Sequence, residues 1–106
     1  MAYRLFIWER RDNADRAAFG NTALAACKIY RKTDGINSAR FYWSGTERIG
    51  ILLEGTPAAL NSPGAGAAPS DAKVAFDMAD LARQTDDILL SEAKTGEELY
   101  KSAGRA

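Results

Sequence analysis

SARFYWSGTERIGILLEG, residues 38–55, is the stretch whose reading decides the fold. Aromatic and branched side chains run from Ser38 to Ser44 and again from Arg48 to Glu54. Between them Gly45-Thr46-Glu47 is a short polar connection containing the glycine that hairpin loops of this length often need. Successive strand residues point to opposite faces, so each strand sorts into two sets. Ala39, Phe41 and Trp43 join Ile49, Ile51 and Leu53 in a nearly pure apolar set. Arg40, Tyr42 and Ser44 join Arg48, Gly50, Leu52 and Glu54 in a mixed one.

Upstream of the hairpin, Tyr3 to Arg10 reads as a first strand closed by the polar cluster Arg11-Asp12-Asn13. A helix capped by Asp12 or Asn13 follows, with Phe19, Ala23, Ala26 and Tyr30 at three- and four-residue steps, and Asp34-Gly35 ends it. Downstream, residues 55–70 carry all three prolines and no charge, which predicts a flexible linker or lid. Ser70 caps a second helix with an apolar stripe at Val74, Met78, Leu81 and Ala82. The run DILLSEA from Asp87 is a fourth strand, with a continuation of the second helix over 86–93 as the alternative. Thr95 and Glu98 form a capping box, predicting a short helix within a C-terminal tail at 95–106.

Strand, helix, strand, strand, helix, strand in 106 residues predicts a single α+β domain of ferredoxin-like βαββαβ type. Its four-stranded antiparallel sheet carries both helices on one face. The first strand is phased with Tyr3, Leu5 and Ile7 under the helices, which leaves Arg4, Phe6, Trp8 and Arg10 on the open face beside Arg40, Tyr42 and Leu52. A contiguous aromatic patch of that size requires a cover. A second copy is the simplest one, since a two-fold dimer buries the same patch twice, and the facing sheets then enclose a cavity.

The element order, the small size, the SARFYWSG hairpin and the polar-aromatic open face together resemble the dimeric α+β barrel proteins, which include the antibiotic-biosynthesis monooxygenase-like domains. The resemblance implies a homodimer and, in its enzymatic members, oxygenation without a cofactor. Arg40, Tyr42, Trp8 and Asn37 are of the types that would stabilise a substrate carbanion or enolate. Heme degradation in that superfamily uses a histidine ligand, and this chain has no histidine.

The same absence excludes Ser-His-Asp chemistry and, with a single cysteine, ordinary zinc sites, so no metal and no cofactor are expected. A general base would be Glu54, a tyrosine or the substrate itself. Cys27 beside the first helix's apolar stripe reads as a buried, inert thiol and fits a reducing, cytoplasmic setting. Ser91 to Gly96 overlaps S-x-x-K and K-T-G on one lysine, a coincidence, because enzymes using those motifs hold them far apart. The 14 basic and 14 acidic side chains cancel, and no apolar run reaches membrane-span length, so neither nucleic acid nor membrane is expected as a partner.

Two classes of function remain. One is a dimeric binding protein holding a small aromatic or acidic metabolite through Arg4, Phe6, Trp8, Arg40, Tyr42 and Leu52; in its plainer form these residues make an interface only. The other is a cofactor-independent monooxygenase-like enzyme acting on an aromatic substrate. An RNA-binding module, stacking bases on Phe6 and Trp8, is the lesser alternative, since the third strand RIGILLEG has no aromatic.

Overall fold

A computed structural model describes residues 2–63 and 69–90. The chain runs β1 (Ala2–Arg10), α1 (Arg16–Arg31), β2 (Ile36–Ser44), β3 (Arg48–Gly55), α2 (Pro57–Asn61), α3 (Pro69–Leu81) and β4 (Ala82–Leu90). The strands form one antiparallel sheet in the order β2-β3-β1-β4. With the helices on one face, this is the expected ferredoxin-like arrangement.

α1 begins later than the sequence suggests. Its cap is Asp15, not Asp12 or Asn13: the Asp15 backbone is extended and its carboxylate accepts from the Ala18 amide at 3.2 Å. Residues 11–15 instead form a corner held by Arg10, whose guanidinium donates to the Ala14 carbonyl at 2.6 Å. Lys28 and Arg31 sit in the last turn, where cations complement the helix dipole. Gly35, at φ +90°, turns the chain into β2, which begins at Ile36 and so two residues before the expected start.

The segment expected as a loop holds a helix. Thr56 caps α2 by accepting from the Ala59 amide at 3.2 Å, and Pro57 occupies the first turn, where its missing N–H costs nothing. Leu60 is thereby driven fully into the core. Residues 64–68, and the tail at 91–106 with its expected helix, lie outside the described residues.

α3 starts at Pro69, which puts Ser70 inside its first turn instead of at the cap. No loop separates α3 from β4: the strand starts at Ala82, five residues before the expected Asp87, and over 86–90 it replaces the helical alternative. Arg11 makes this junction possible, because its amide takes the Leu81 carbonyl at 3.0 Å and its Nε takes that of Ala79 at 3.0 Å.

The core lies between sheet and helices. Phe19, Ala23 and Cys27 of α1 pack on Ile49, Ile51 and Leu53 of β3, with Leu60 and Met78 closing the sides. Each such large apolar side chain contributes about 1.5–3 kcal/mol on burial. Phe19 meets Trp43 edge-on, ring centroids 5.6 Å apart, which fixes α1 over β2.

Candidate functional site

Residues directly opposite each other in an antiparallel pair share a face. Phe6 lies opposite Ile51 and Trp8 opposite Ile49, and those β3 residues are buried under the helices. β1 is therefore shifted by one residue from the expected phase: Arg4, Phe6, Trp8 and Arg10 belong to the helix-covered face, and Tyr3, Leu5, Ile7 and Glu9 to the open one. The faces of β2 and β3 stand as expected. Of the six expected ligand-binding residues, Arg40, Tyr42 and Leu52 share the open face while Arg4, Phe6 and Trp8 lie on the opposite side.

The physical cause is that both alternating sets of β1 are apolar. Leu5 and Ile7 are as hydrophobic as Phe6 and Trp8, so alternation alone leaves the phase open. Pairing with β3 removes the ambiguity. Ile7 lies opposite Gly50, whose missing side chain leaves room for Ile7 and Leu5, each with its Cδ1 3.5 Å from where a Cβ would stand.

The open face is accordingly more aliphatic than expected. Arg40, Leu52, Leu5 and Ile88 form one row across the four strands, and Tyr42, Gly50, Ile7 and Asp86 the next. Leu5, Ile7 and Leu52 are half-buried, whereas Ile88, Leu90 and Tyr42 are 43%, 54% and 55% exposed. A charged row, Arg48, Glu9 and Arg83, closes one end.

Beneath the helices, Arg4 is consumed by structure. Its Nε and Nη2 clasp the Asp87 carboxylate at 2.9 and 2.7 Å, its Nη1 donates to the Leu60 carbonyl at 2.6 Å, and its carbon lies 4.9 Å above the Phe6 ring. It thus ties β1, β4 and α2 together. Phe6 in turn stacks on Tyr30 of α1, centroids 6.0 Å apart. Burial, more than any neighbouring charge, pushes the Tyr30 hydroxyl and the Cys27 thiol up in pKa, so neither is an activated nucleophile at neutral pH.

The hydrogen bond from Arg4 holds the Asp87 carboxyl below its ordinary value. A depressed folded-state pKa contributes stability that is complete above the unfolded value of about 3.9 and is lost as pH falls through the folded one. We expect the melting temperature to fall between pH 5 and pH 2, and to fall less steeply in an Asp87→Asn variant, as thermal unfolding by circular dichroism will show.

Trp8 differs from its neighbours. Its ring packs against the core in a row with Trp43, Ile49 and Gln84, yet its buried indole N–H has no hydrogen-bond partner among the described residues. Nearly all buried donors in folded proteins are paired, and an unpaired one costs about 1–3 kcal/mol. A donor held in this way is ready for an acceptor brought from outside. Sequence reasoning selected Trp8 for its aromatic face; its polar edge inside the helix-covered layer could not be seen before the phase of β1 was known.

Two open clefts at the β1–α1 corner, of about 370 and 450 Å³, share Arg11 and Asp12. Their cations are engaged: Arg10 by Glu47, Arg83 by Glu9 at 3.6 Å and Arg11 by the end of α3. Among the described residues no cluster could hold a metal ion, and no helix is long and apolar enough to cross a membrane. The remaining expected candidates, Asn37 and Glu54, lie on β2 and on the open face of β3, and neither adjoins Trp8 in the register.

No protein-family model matches the sequence, and no curated protein matches it at the sequence level. Solved structures do share its fold. SnoaB, a cofactor-independent oxygenase from Streptomyces nogalater, superposes with a TM-score of 0.69 at 11% identity, over 90% of this chain and 95% of that one. Rv0793 from Mycobacterium tuberculosis gives 0.66 at 20% identity, over 91% and 99%. An antibiotic biosynthesis monooxygenase gives 0.69 at 11% identity, over 89% and 100%. The resemblance to the monooxygenase-like α+β proteins therefore extends through the chain as a likeness of fold.

Proposed function

We propose that the protein is a small-molecule-binding homodimer. The open sheet face closes on a second copy, and each subunit holds a flat organic molecule bearing a hydrogen-bond acceptor between its sheet and its helices. The carrying observation is the buried indole N–H of Trp8, which has no hydrogen-bond partner among the described residues. It supports a ligand carbonyl, phenolate or carboxylate oxygen at that point, beside the row of Trp43, Ile49 and Gln84. This moves the expected ligand site from between the two sheets to the other side of each sheet. The aliphatic open face fits a dry interface better than a cavity for an aromatic metabolite. Arg40, Tyr42 and Leu52 then serve association, Arg4 and Phe6 the scaffold, and Trp8 the ligand. The lone buried thiol accords with a cytoplasmic setting.

Oxygenation without a cofactor is the second reading, favoured by the fold shared with SnoaB. A donor preset toward an oxygen atom stabilises the negative charge that an enolate or phenolate develops, which is what such chemistry asks of its protein. The RNA-binding alternative loses its support, because Phe6 and Trp8, the bases' stacking platform, lie under the helices.

Native mass spectrometry of freshly purified protein tests the proposal: a dimer carrying a small-molecule adduct is expected, and an adduct-free monomer would overturn it. Trp8→Phe removes the donor and replaces the indole with a smaller phenyl ring. Loss of the unpaired donor and the space left by the smaller ring act in opposite directions on stability, each by about 1–3 kcal/mol, so retention of the adduct is the readout and should weaken roughly tenfold. Unchanged retention by a folded Trp8→Phe protein would mean that the N–H does not meet the ligand. Oxygen uptake with electron-rich aromatics separates the enzymatic reading from simple binding.

A further inference from the structure

The pairing of β1 with β4 breaks register between Ile7 and Trp8. Trp8 lies opposite Gln84 and Ile7 opposite Asp86, so Thr85 is the extra residue of a β-bulge, and its hydroxyl donates to the Ile7 carbonyl at 3.4 Å. On a regular strand, residues three apart point to opposite faces. Here Gln84 lies opposite Trp8 and Asp87 opposite Phe6, and both share the helix-covered face with them. Asp87 is spent on Arg4. Gln84 is not: its side-chain amide has no hydrogen-bond partner among the described residues.

Two unpartnered polar groups thus meet in one row, the buried indole N–H of Trp8 and the exposed amide of Gln84. Residues directly opposite each other hold their Cβ atoms about 4.5–5.5 Å apart, so one small polar group can reach both side chains. β4 is an edge of the sheet and β1 lies inside it, which puts Gln84 on the solvent side of Trp8. A ligand entering over β4 passes Gln84 first and ends at the indole.

The arginines that flank this layer are engaged. Arg4 binds Asp87 and the Leu60 carbonyl through Nε, Nη1 and Nη2. Arg10, two residues beyond Trp8 on the same face of β1, is held by Glu47 and by the carbonyls of Asp12 and Ala14. Arg31 gives Nε and Nη2 to the Ala39 carbonyl. A carboxylate or phenolate at Trp8 would therefore lose water without gaining a counter-ion, whereas a neutral carbonyl loses far less. A carboxamide suits a neutral partner, because it both donates and accepts.

Building on the ligand site proposed at Trp8, we infer that Gln84 is its second recognition residue and that the pair selects an uncharged, amide-like edge over a carboxylate. The Trp8 N–H donates to the carbonyl oxygen, and the Gln84 amide oxygen accepts from the donor beside it. The bulge at Thr85 positions Gln84 for this.

2-Naphthamide and 2-naphthoate, flat probes of one shape that differ in charge, test the pair. The chain has two tryptophans, so its indole N–H resonances are assigned by the loss of one in Trp8→Phe. In ¹⁵N-labelled wild type, 2-naphthamide should move the Trp8 resonance downfield and bind about tenfold more tightly than 2-naphthoate. Gln84→Leu should weaken 2-naphthamide roughly tenfold. Gln84→Arg should reverse the preference, since its guanidinium supplies the missing cation. Position 84 is exposed on an edge strand, so both variants should keep the wild-type melting temperature. Binding of 2-naphthamide that perturbs Trp8 yet is unchanged in Gln84→Leu would overturn the role of Gln84 and leave the Trp8 site standing. 2-Naphthoate binding as tightly as 2-naphthamide would overturn the selection for an uncharged group. No response of the Trp8 resonance to either probe would overturn the Trp8 site itself, and the role of Gln84 with it.

Discussion

Gly55→Ala should destabilise the protein by about 3 kcal/mol or more, a fall in melting temperature on the order of 15 °C for a chain of this size. A Cβ at Gly55 collides with the Gly35 carbonyl oxygen and stands 3.1 Å from the Ile36 Cα and 3.2 Å from the Gly35 carbonyl carbon. These are backbone atoms, and no rotamer change relieves them. They also belong to the corner where the chain leaves α1, enters β2 and passes from β3 into α2, with the Thr56 amide donating to that same Gly35 carbonyl at 2.9 Å. Gly45→Ala is the control. Gly45 has φ +68° and open space around it, so the cost is only that of a left-handed alanine, about 1 kcal/mol. Equal melting temperatures for the two variants would mean that the corner is not packed as described.

The second large effect concerns association. Ile7→Asp should leave the monomer folded, because Ile7 lies on the open face, away from the helices. In the proposed dimer it places a carboxylate in the apolar centre of each subunit's face, beside Asp86 of the same row. Lost apolar burial and a desolvated charge cost about 2–3 kcal/mol per subunit, and two-fold symmetry applies this twice. The dimer dissociation constant should therefore rise by roughly a thousandfold or more, measured by sedimentation equilibrium. Circular dichroism should remain that of the wild type. An Ile7→Asp dimer of unchanged affinity would place the interface elsewhere.

Much of the scaffold was legible because local signals were unambiguous. The hairpin carries a glycine turn between two runs whose faces differ sharply, arginine, tyrosine and serine against alanine, phenylalanine and tryptophan, so β2 and β3 sort correctly. α1 shows its buried stripe at Phe19, Ala23 and Ala26. The helix in residues 57–61 had a signal too, Thr-Pro followed by small apolar residues, but the proline- and glycine-rich composition around it suggested a loop.

The candidate site was less legible, for a different reason. Arg4, Phe6 and Trp8 were grouped with Arg40, Tyr42 and Leu52 by a choice of phase in β1 that the residues do not dictate. A central strand with apolar side chains on both faces, Leu5 and Ile7 on one and Phe6 and Trp8 on the other, carries no alternation to read.

By itself, then, the sequence determined the order of elements, the antiparallel hairpin and its two faces, and the absence of any histidine-based chemistry. Those properties are local, set by turn residues, side-chain period and composition. Only the tertiary structure decided which edge of Trp8 is buried, that Arg4 is spent on Asp87 and Leu60, and that β4 begins at Ala82. Each of these depends on which residues of distant strands come to lie side by side. That register is fixed by packing across the whole sheet: Ile7 against Gly50, Phe6 against Ile51, and Arg11 closing the end of α3.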